Sequence, residues 1–308
     1  DTYLERGGNF IDTASAYTDG TSEEFVGDFA HGRRDELVIA TKNSMTIRPG
    51  DPNAGGNGRK SLRQSVEQSL RRLRTDYIDL LYLHAWDFTT SAEEVLRGLD
   101  DLVGAGKVLY LGLPDIPAWQ AARMQTTAEL RGWEPLVALQ IQYSLLERTV
   151  ERDLIPMAAE LGMGVVPWSP LGSGVLTGKY TRADLDEEAS DNPVGSRRNV
   201  ARANGALTPR ALDIADVVGH VAKEMGVAPA QVAVAWTLLN QAVTSPIVGA
   251  RTLQQLESNL GALDVGFTTD QRRRLDAASG IELGFPHDFL AGGLVSAVLH
   301  GGATIVHR

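Results

Sequence analysis

The chain contains no cysteine in 308 residues, which excludes disulfides and thiolate metal centres. It has no apolar run near the ~20 residues needed to cross a bilayer. No secretory leader is visible at its start. A soluble, cytoplasmic protein is the expectation. Positive charge is in short supply: 29 Lys and Arg face 39 Asp and Glu, for a formal charge of -10. That balance argues against nucleic acid or an anionic membrane as a partner, while leaving room for a small anion held by a few local cations. No strand-like run is followed by a Gly-x-Gly-x-x-Gly turn, so the signature of an open dinucleotide-binding sheet is missing too.

What is present is alternation. Apolar runs at 9–13, 37–42, 78–84, 108–113, 137–143, 164–169 and 245–249 read as strands. Between them lie helix-period segments. Leu62, Val66, Leu70 and Leu73 share one helical face, Ser91 and Glu94 are spaced as a capping box, and Thr208 precedes Pro209 as a helix start. Strands separated by helices pair in parallel. The fold predicted is α/β, a TIM (β/α)8-type barrel in one domain over 1–308, with a C-terminal extension at about 281–308. A doubly wound open sheet is the alternative. Only seven strands can be found, and the chain starts in a helix-like stretch, Asp1–Arg6, that should have a strand before it. Two long polar segments, 44–58 and 181–205, exceed ordinary loop length and are either functional or mobile.

Several of these runs end on a polar side chain. "NFIDTA" ends at Asp12, "VIATK" at Lys42 and "LLYLH" at His84, with Tyr17 five positions beyond Asp12. In a parallel barrel all C-terminal strand ends share one rim, so the four groups would converge. A lone phenol is a poor acid–base group near neutrality, but a nearby ammonium favours its anion. A buried lysine needs a counter-ion, which Asp12 can be. His84 could donate to a carbonyl oxygen as charge grows there. Taken singly, Asp12 reads as a turn cap, Lys42 as a solvated stem, His84 as a core imidazole and Tyr17 as surface packing; together they read as a carbonyl site. No other His or Glu stands at ligand spacing from His84, so no metal is expected.

At this point the chain resembles the aldo-keto reductases, and in particular the branch that holds bacterial reductases and potassium-channel β-subunits. The resemblance rests on "GGNFIDTASAY", "VIATK", "DYIDLLYLHAWD", "LQIQYSLLER", "GVVPWSPLGSGVLTGKY" and "PIVGARTLQQLESNLGAL", in family order from Gly7 to Leu263. It implies NADPH-dependent reduction of an aldehyde or ketone. Tyr17 would be the general acid, Lys42 its activator, Asp12 the partner of Lys42, and His84 the residue that orients the carbonyl. It implies an NADP(H) site in which the nicotinamide stacks on Trp168 near Gln140. Ser169, Pro170, Leu171, Gly172 and Gly174 would fold over the diphosphate with Lys179 nearby. Gly249, Arg251, Gln255 and Asn259 would meet the adenosine and its 2′-phosphate. Trp86 and Trp119 would form an apolar substrate wall.

The chain departs from the family pattern in three places. The usual N-terminal hairpin and first strand are not found, which would leave a gap in the barrel. Residues 294–299 or 303–306 of the tail could fill it, or self-association could cover it. Pro114 stands where a serine usually meets the carboxamide, and Asp115 after it is expected to cap the next helix. Ser258 stands where the family often has Glu, which would weaken the adenine contact. A reductase-like module that binds nucleotide without useful catalysis is the alternative function, and a lyase using Lys42 as a Schiff-base nucleophile is a more distant one. Expected partners are a small carbonyl substrate and, through self-association, a second copy.

Overall fold

The computed structural model describes residues 1–46, 48–186, 197–301 and 303. Six strands run parallel in chain order: β1 (Phe10–Asp12), β2 (Val38–Asn43), β3 (Ile78–Leu83), β4 (Val108–Leu113), β5 (Leu136–Gln142) and β6 (Gly164–Trp168). Before β1 comes α1 (Thr2–Glu5). The crossovers are α2 (Thr21–Ala30), α3 (Arg59–Leu73), α4 (Ala92–Gly104), α5 (Ala118–Arg131) and α6 (Leu154–Glu160). After β6 follow α7 (Ala183–Asp186), α8 (Arg197–Ala203), α9 (Pro209–Met225), α10 (Pro229–Thr237), α11 (Leu253–Leu260), α12 (Thr269–Ser279), α13 (His287–Leu290) and α14 (Gly293–His300). None of the described helices is long and apolar enough to cross a membrane.

The sheet curls on itself. In a flat sheet β1 and β5 would lie about 19 Å apart, yet Gln140 of β5 donates to Asp12 of β1 at 2.8 Å. Alternation along the strands then makes two apolar layers. Ala40, Leu80, Tyr82 and Ala138, with Phe10 and Val137, pack together on the inner face. Ile39, Leu81, Leu83, Leu111, Leu139 and their neighbours pack outward against the helices. Strands buried on both faces account for the continuous apolar runs in the sequence.

The seventh strand expected at 245–249 does not form. Instead the backbone from Ala242 to Ile247 follows β6 through Val165 N–H to Ala242 (3.0 Å), Thr244 N–H to Val165 (2.8 Å) and Ile247 N–H to Pro167 (2.8 Å). Pro246 has no N–H to give, and nothing among the described residues pairs with the far side of this segment, so no ladder builds. Between it and β1 lies a groove of ≈ 470 Å³, lined by Phe10, Ile11 and Asp12 on one side and Ser245–Val248 on the other. Tyr3 of α1 covers part of the β1 edge: its hydroxyl donates to the Phe10 carbonyl (3.0 Å) and accepts the Phe10 N–H (3.3 Å). Gly8 makes room for that ring, since a Cβ there would sit 2.0 Å from it. The tail does not supply a strand at 294–299, because those residues belong to α14, which packs on α13. Residues 304–306 lie outside the described residues, as does part of the 181–205 segment.

Helix starts follow their caps. Ser91 accepts the Glu94 N–H (3.2 Å) and Thr208 the Ala211 N–H (3.1 Å). The box at Ser91 is only half made, since the Glu94 carboxylate takes the Arg59 N–H instead (3.4 Å). Below the site, α2 and α3 pack closely because Gly27 lies against the carbonyls of Arg72 and Leu73. Glu23 of α2 is fully buried there, accepting from Arg72 Nε (2.7 Å) and Thr41 Oγ1 (2.6 Å). Removing one partner of a buried pair leaves the other charge uncompensated. Glu23→Ala is expected to lower unfolding stability by about 3 kcal/mol in urea titration. A loss below about 1 kcal/mol would show that the pair is not holding α2, β2 and α3 together.

Candidate active site

The site is assembled at the C-terminal ends of β1, β2 and β3. Asp12 is the last residue of β1, Lys42 lies near the end of β2, and His84 follows β3 directly. Tyr17 opens the turn Tyr17–Gly20, whose next three residues, Thr18, Asp19 and Gly20, all have left-handed backbones. That turn carries Tyr17 back over the strand ends.

Lys42 is the hub. Its ammonium has three hydrogens to donate. They go to Asp12 Oδ2 in a tight ion pair, to the Thr13 carbonyl (2.8 Å) and to the Tyr17 hydroxyl (3.3 Å). Lys42 is 3% exposed and the Asp12 side chain 7%. Gln140 Nε2 donates to the second oxygen, Asp12 Oδ1, at 2.8 Å. Burial raises the Asp12 pKa, and the Lys42 charge and the bonds from Lys42 and Gln140 work against that rise. His84 stands edge-on to Tyr17, ring centroids 5.7 Å apart. Burial first, and the Lys42 charge second, lower its pKa to about 4. It is therefore a neutral imidazole at neutral pH. Its Nδ1 is buried with no partner among the described residues.

Ser44 and Asn57, from the described part of the 44–58 segment, brace this mouth. The His84 N–H donates to the Asn43 carbonyl (3.2 Å) and to Ser44 Oγ (3.1 Å). Asn57, fully buried, donates Nδ2–H to the Ala85 carbonyl (2.9 Å) and its backbone N–H to Asp87 (2.8 Å). Asp87 also accepts from Thr89 and Thr90, closing a tight loop on which Phe88 is exposed with φ 56°. Asn57 and Asp87 escaped the sequence reading because their partners lie about thirty positions away. Trp119 and Met45 are also exposed, whereas Trp86 is partly buried against the core.

Across the rim, Trp168 ends β6 and donates Nε1–H to Asp115 Oδ2 (3.0 Å). Asp115 also accepts the Gln142 N–H (3.2 Å). The expected helix cap at Asp115 is thus corrected: Pro117 is the N-cap of α5, and the carboxylate fixes the indole instead. Beyond Trp168 the loop folds on itself. The N–H groups of Gly172, Ser173 and Gly174 go to the Ser169 carbonyl, Ser169 Oγ and the Leu171 carbonyl. Pro170 is buried, and Leu171 packs on Val234 and Ala235. With those amides engaged, side-chain cations are what the region offers an anion. Lys179 lies against Gly174, where a Cβ would come 2.7 Å from its Nζ. Burial, then the charges of Arg197 and Arg251, lower the Lys179 pKa. Arg197 was not singled out in the sequence. Gly249 meets open space, Gln255 Oε1 accepts the Arg251 N–H (2.9 Å), and Asn259 is buried on the groove beside β1.

The structure thus brings Asp12, Tyr17, Lys42, His84 and Gln140 together, with Lys179, Arg197 and Arg251 forming a separate cationic group. The depressed His84 makes a pH prediction. A histidine lowered in the folded state contributes stability above its unfolded pKa of ~6.5, and that stability is lost as pH falls toward about 4. NMR titration is expected to show the His84 imidazole still neutral at pH 5.5. A midpoint near 6.5 would contradict the enclosed, Lys42-facing environment.

A model of the aldo/keto reductase family matches residues 1–279. Among curated relatives, norsolorinic acid reductase B of Dothistroma septosporum is 38% identical over 301 residues, covering 96% of this chain and 74% of that protein. The aryl-alcohol dehydrogenase [NADP(+)] of Phanerodontia chrysosporium is 37% identical over 317 residues, covering 98% and 80%. Norsolorinic acid reductase of Aspergillus flavus is 38% identical over 297 residues, covering 94% and 73%. All three are fungal proteins, and each is an oxidoreductase by name. A match of this length, on a curled parallel sheet whose strand ends carry this group of side chains, settles the assignment: the chain belongs to the aldo/keto reductase family.

Proposed function

We propose that the protein reduces an aldehyde or ketone to an alcohol with NADPH, and that its substrates are aromatic carbonyls. The observation that carries the reading is the Tyr17 hydroxyl 3.3 Å from a fully engaged, nearly buried lysine. The residues suit the cofactor. Lys179, Arg197 and Arg251 offer a cationic array to its phosphates, and Trp168, oriented by Asp115, offers an indole face to its ring. Bound NADPH would supply hydride to the carbonyl carbon.

The chain's own groups manage the oxygen. Tyr17 donates its proton to the oxygen as negative charge develops there. His84, uncharged, donates a hydrogen bond from Nε2 to the same oxygen and does not compete as a proton source. Lys42 compensates the tyrosinate left behind, and Asp12 keeps the ammonium charged in a site with little water. The Asp12 side chain is only 7% exposed although Asp12 lines the groove beside β1, which favours the enzymatic reading over a module that only binds nucleotide. The same carboxylate argues against a Schiff-base lysine, since it holds Lys42 protonated. For the substrate, exposed Phe88 and Trp119 supply aromatic surface near the mouth, and relatives named for aryl alcohols and norsolorinic acid support a planar aromatic group there.

Two outcomes are expected. Tyr17→Phe lowers kcat on an aromatic aldehyde by at least ~10²-fold while NADPH still binds, as read by steady-state kinetics and fluorescence titration. Retained turnover would refute the assigned proton donor. Arg251→Ala raises KM for NADPH about tenfold and leaves NADH use unchanged. Equal effects on both cofactors would remove the 2′-phosphate assignment.

A further inference from the structure

Beneath the four rim residues lies a polar layer that the mechanism above does not use. Tyr82 points inward from β3, in register with Lys42 of β2 and Gly112 of β4. Its ring occupies the place a side chain at Gly112 would take, since a Cβ there would lie 2.4 Å from it. Tyr82 is fully buried, and its hydroxyl has no hydrogen-bond partner among the described residues. A phenol kept unpaired in the core costs stability that phenylalanine would not cost. What adjoins it is the Gln140 amide and the charge of Asp12; burial first, and that charge second, raise its pKa. Gln140 is itself buried, and its Nε2 is bound to Asp12 Oδ1. Asp12 Oδ2 is taken by Lys42. The carboxylate is therefore gripped from two sides, by a cation on β2 and by a neutral amide on β5, with the Tyr82 phenol below.

We propose that Gln140 is a positioning residue for the proton-donor group: its amide N–H keeps Asp12 ionised and aimed at Lys42. The chemistry is that of a hydrogen-bond donor to the charged form of a desolvated acid, which favours ionisation without adding charge. A donor of this kind leaves Oε1 of the same amide free for another partner. The titratable and charged groups around Asp12 are Lys42 above it, Tyr17 and His84 beyond Lys42, Tyr82 below, and Arg6 and Tyr3 of the groove beside β1. The inference concerns the protein without cofactor, so it stands or falls separately from the NADPH reading.

The test is the titration of Asp12 in cofactor-free protein carrying ¹³C-carboxyl aspartate, with Asp12→Asn identifying the resonance. Gln140→Met is close in volume and has no donor. Its Asp12 midpoint is expected about one pH unit above wild type. Tyr82→Phe, which removes a buried hydroxyl that holds no bond among the described residues, is the control: its Asp12 midpoint is expected within a few tenths of wild type, without a lower melting temperature. Where wild type turns over, the acidic limb of kcat moves up in pH by a matching amount in Gln140→Met. An Asp12 midpoint unchanged within a few tenths in Gln140→Met overturns the proposal. In that case loss of NADPH affinity in Gln140→Met would mark Gln140 as a cofactor contact only, and retained affinity would mark it as packing. If Gln140→Met does not fold, Gln140→Leu is titrated in its place: a raised midpoint supports the proposal and an unshifted one defeats it.

Discussion

The arrangement depends on one ion pair held where water is scarce. Lys42 and Asp12 face each other at the mouth of the curled sheet, and neither would keep its charge there alone. The contacts around it satisfy that pair. The lysine spends its three hydrogens on Asp12, the Thr13 carbonyl and Tyr17; the carboxylate spends its two oxygens on Lys42 and Gln140. The phenol is thereby tied to a fixed cation. Burial first, and the same cation second, lower the pKa of the neighbouring imidazole. In the proposed reaction this divides the labour, with the phenol as proton donor and the imidazole as neutral hydrogen-bond donor.

The fold makes the pair possible by curvature. Asp12 and Gln140 are 128 positions apart and four strands apart, and only a sheet bent round brings them together. Glycine contributes at two close approaches: Gly112 yields its place to the Tyr82 ring, and Gly27 lets α2 meet α3 under the site. The buried Glu23–Arg72 pair fixes the same helices to β2, so the strand carrying Lys42 is held from behind as well as from its edges.

The rim residues were legible in the sequence because strand ends are local signals: an apolar run that stops at Asp12, Lys42 or His84 announces its own geometry. The parallel strands and the caps at Ser91 and Thr208 were legible for the same reason. What was not legible depends on contacts between distant segments. Asp115 reads locally as a cap, yet its partners are Gln142 and Trp168. Asn57 sits in a loop rich in turn residues, and only the fold reveals that it holds Ala85 and Asp87. The stretch 245–249 has strand composition, but Pro246 has no N–H to donate and no described residue pairs with its far side. The tail at 294–299 has enough apolar residues for a strand and forms a helix.

A double-mutant cycle on Asp12 and Lys42 tests the central claim most directly. Log kcat would be compared for Asp12→Asn, Lys42→Met, the double variant and wild type, with folding checked by circular dichroism. If the two residues act as one charged unit upon Tyr17, each single change removes most of the activity, and the double variant is no worse than Lys42→Met alone. Losses that add independently would mean that Asp12 and Lys42 serve separate purposes, and the account of a site built on their pairing would fail.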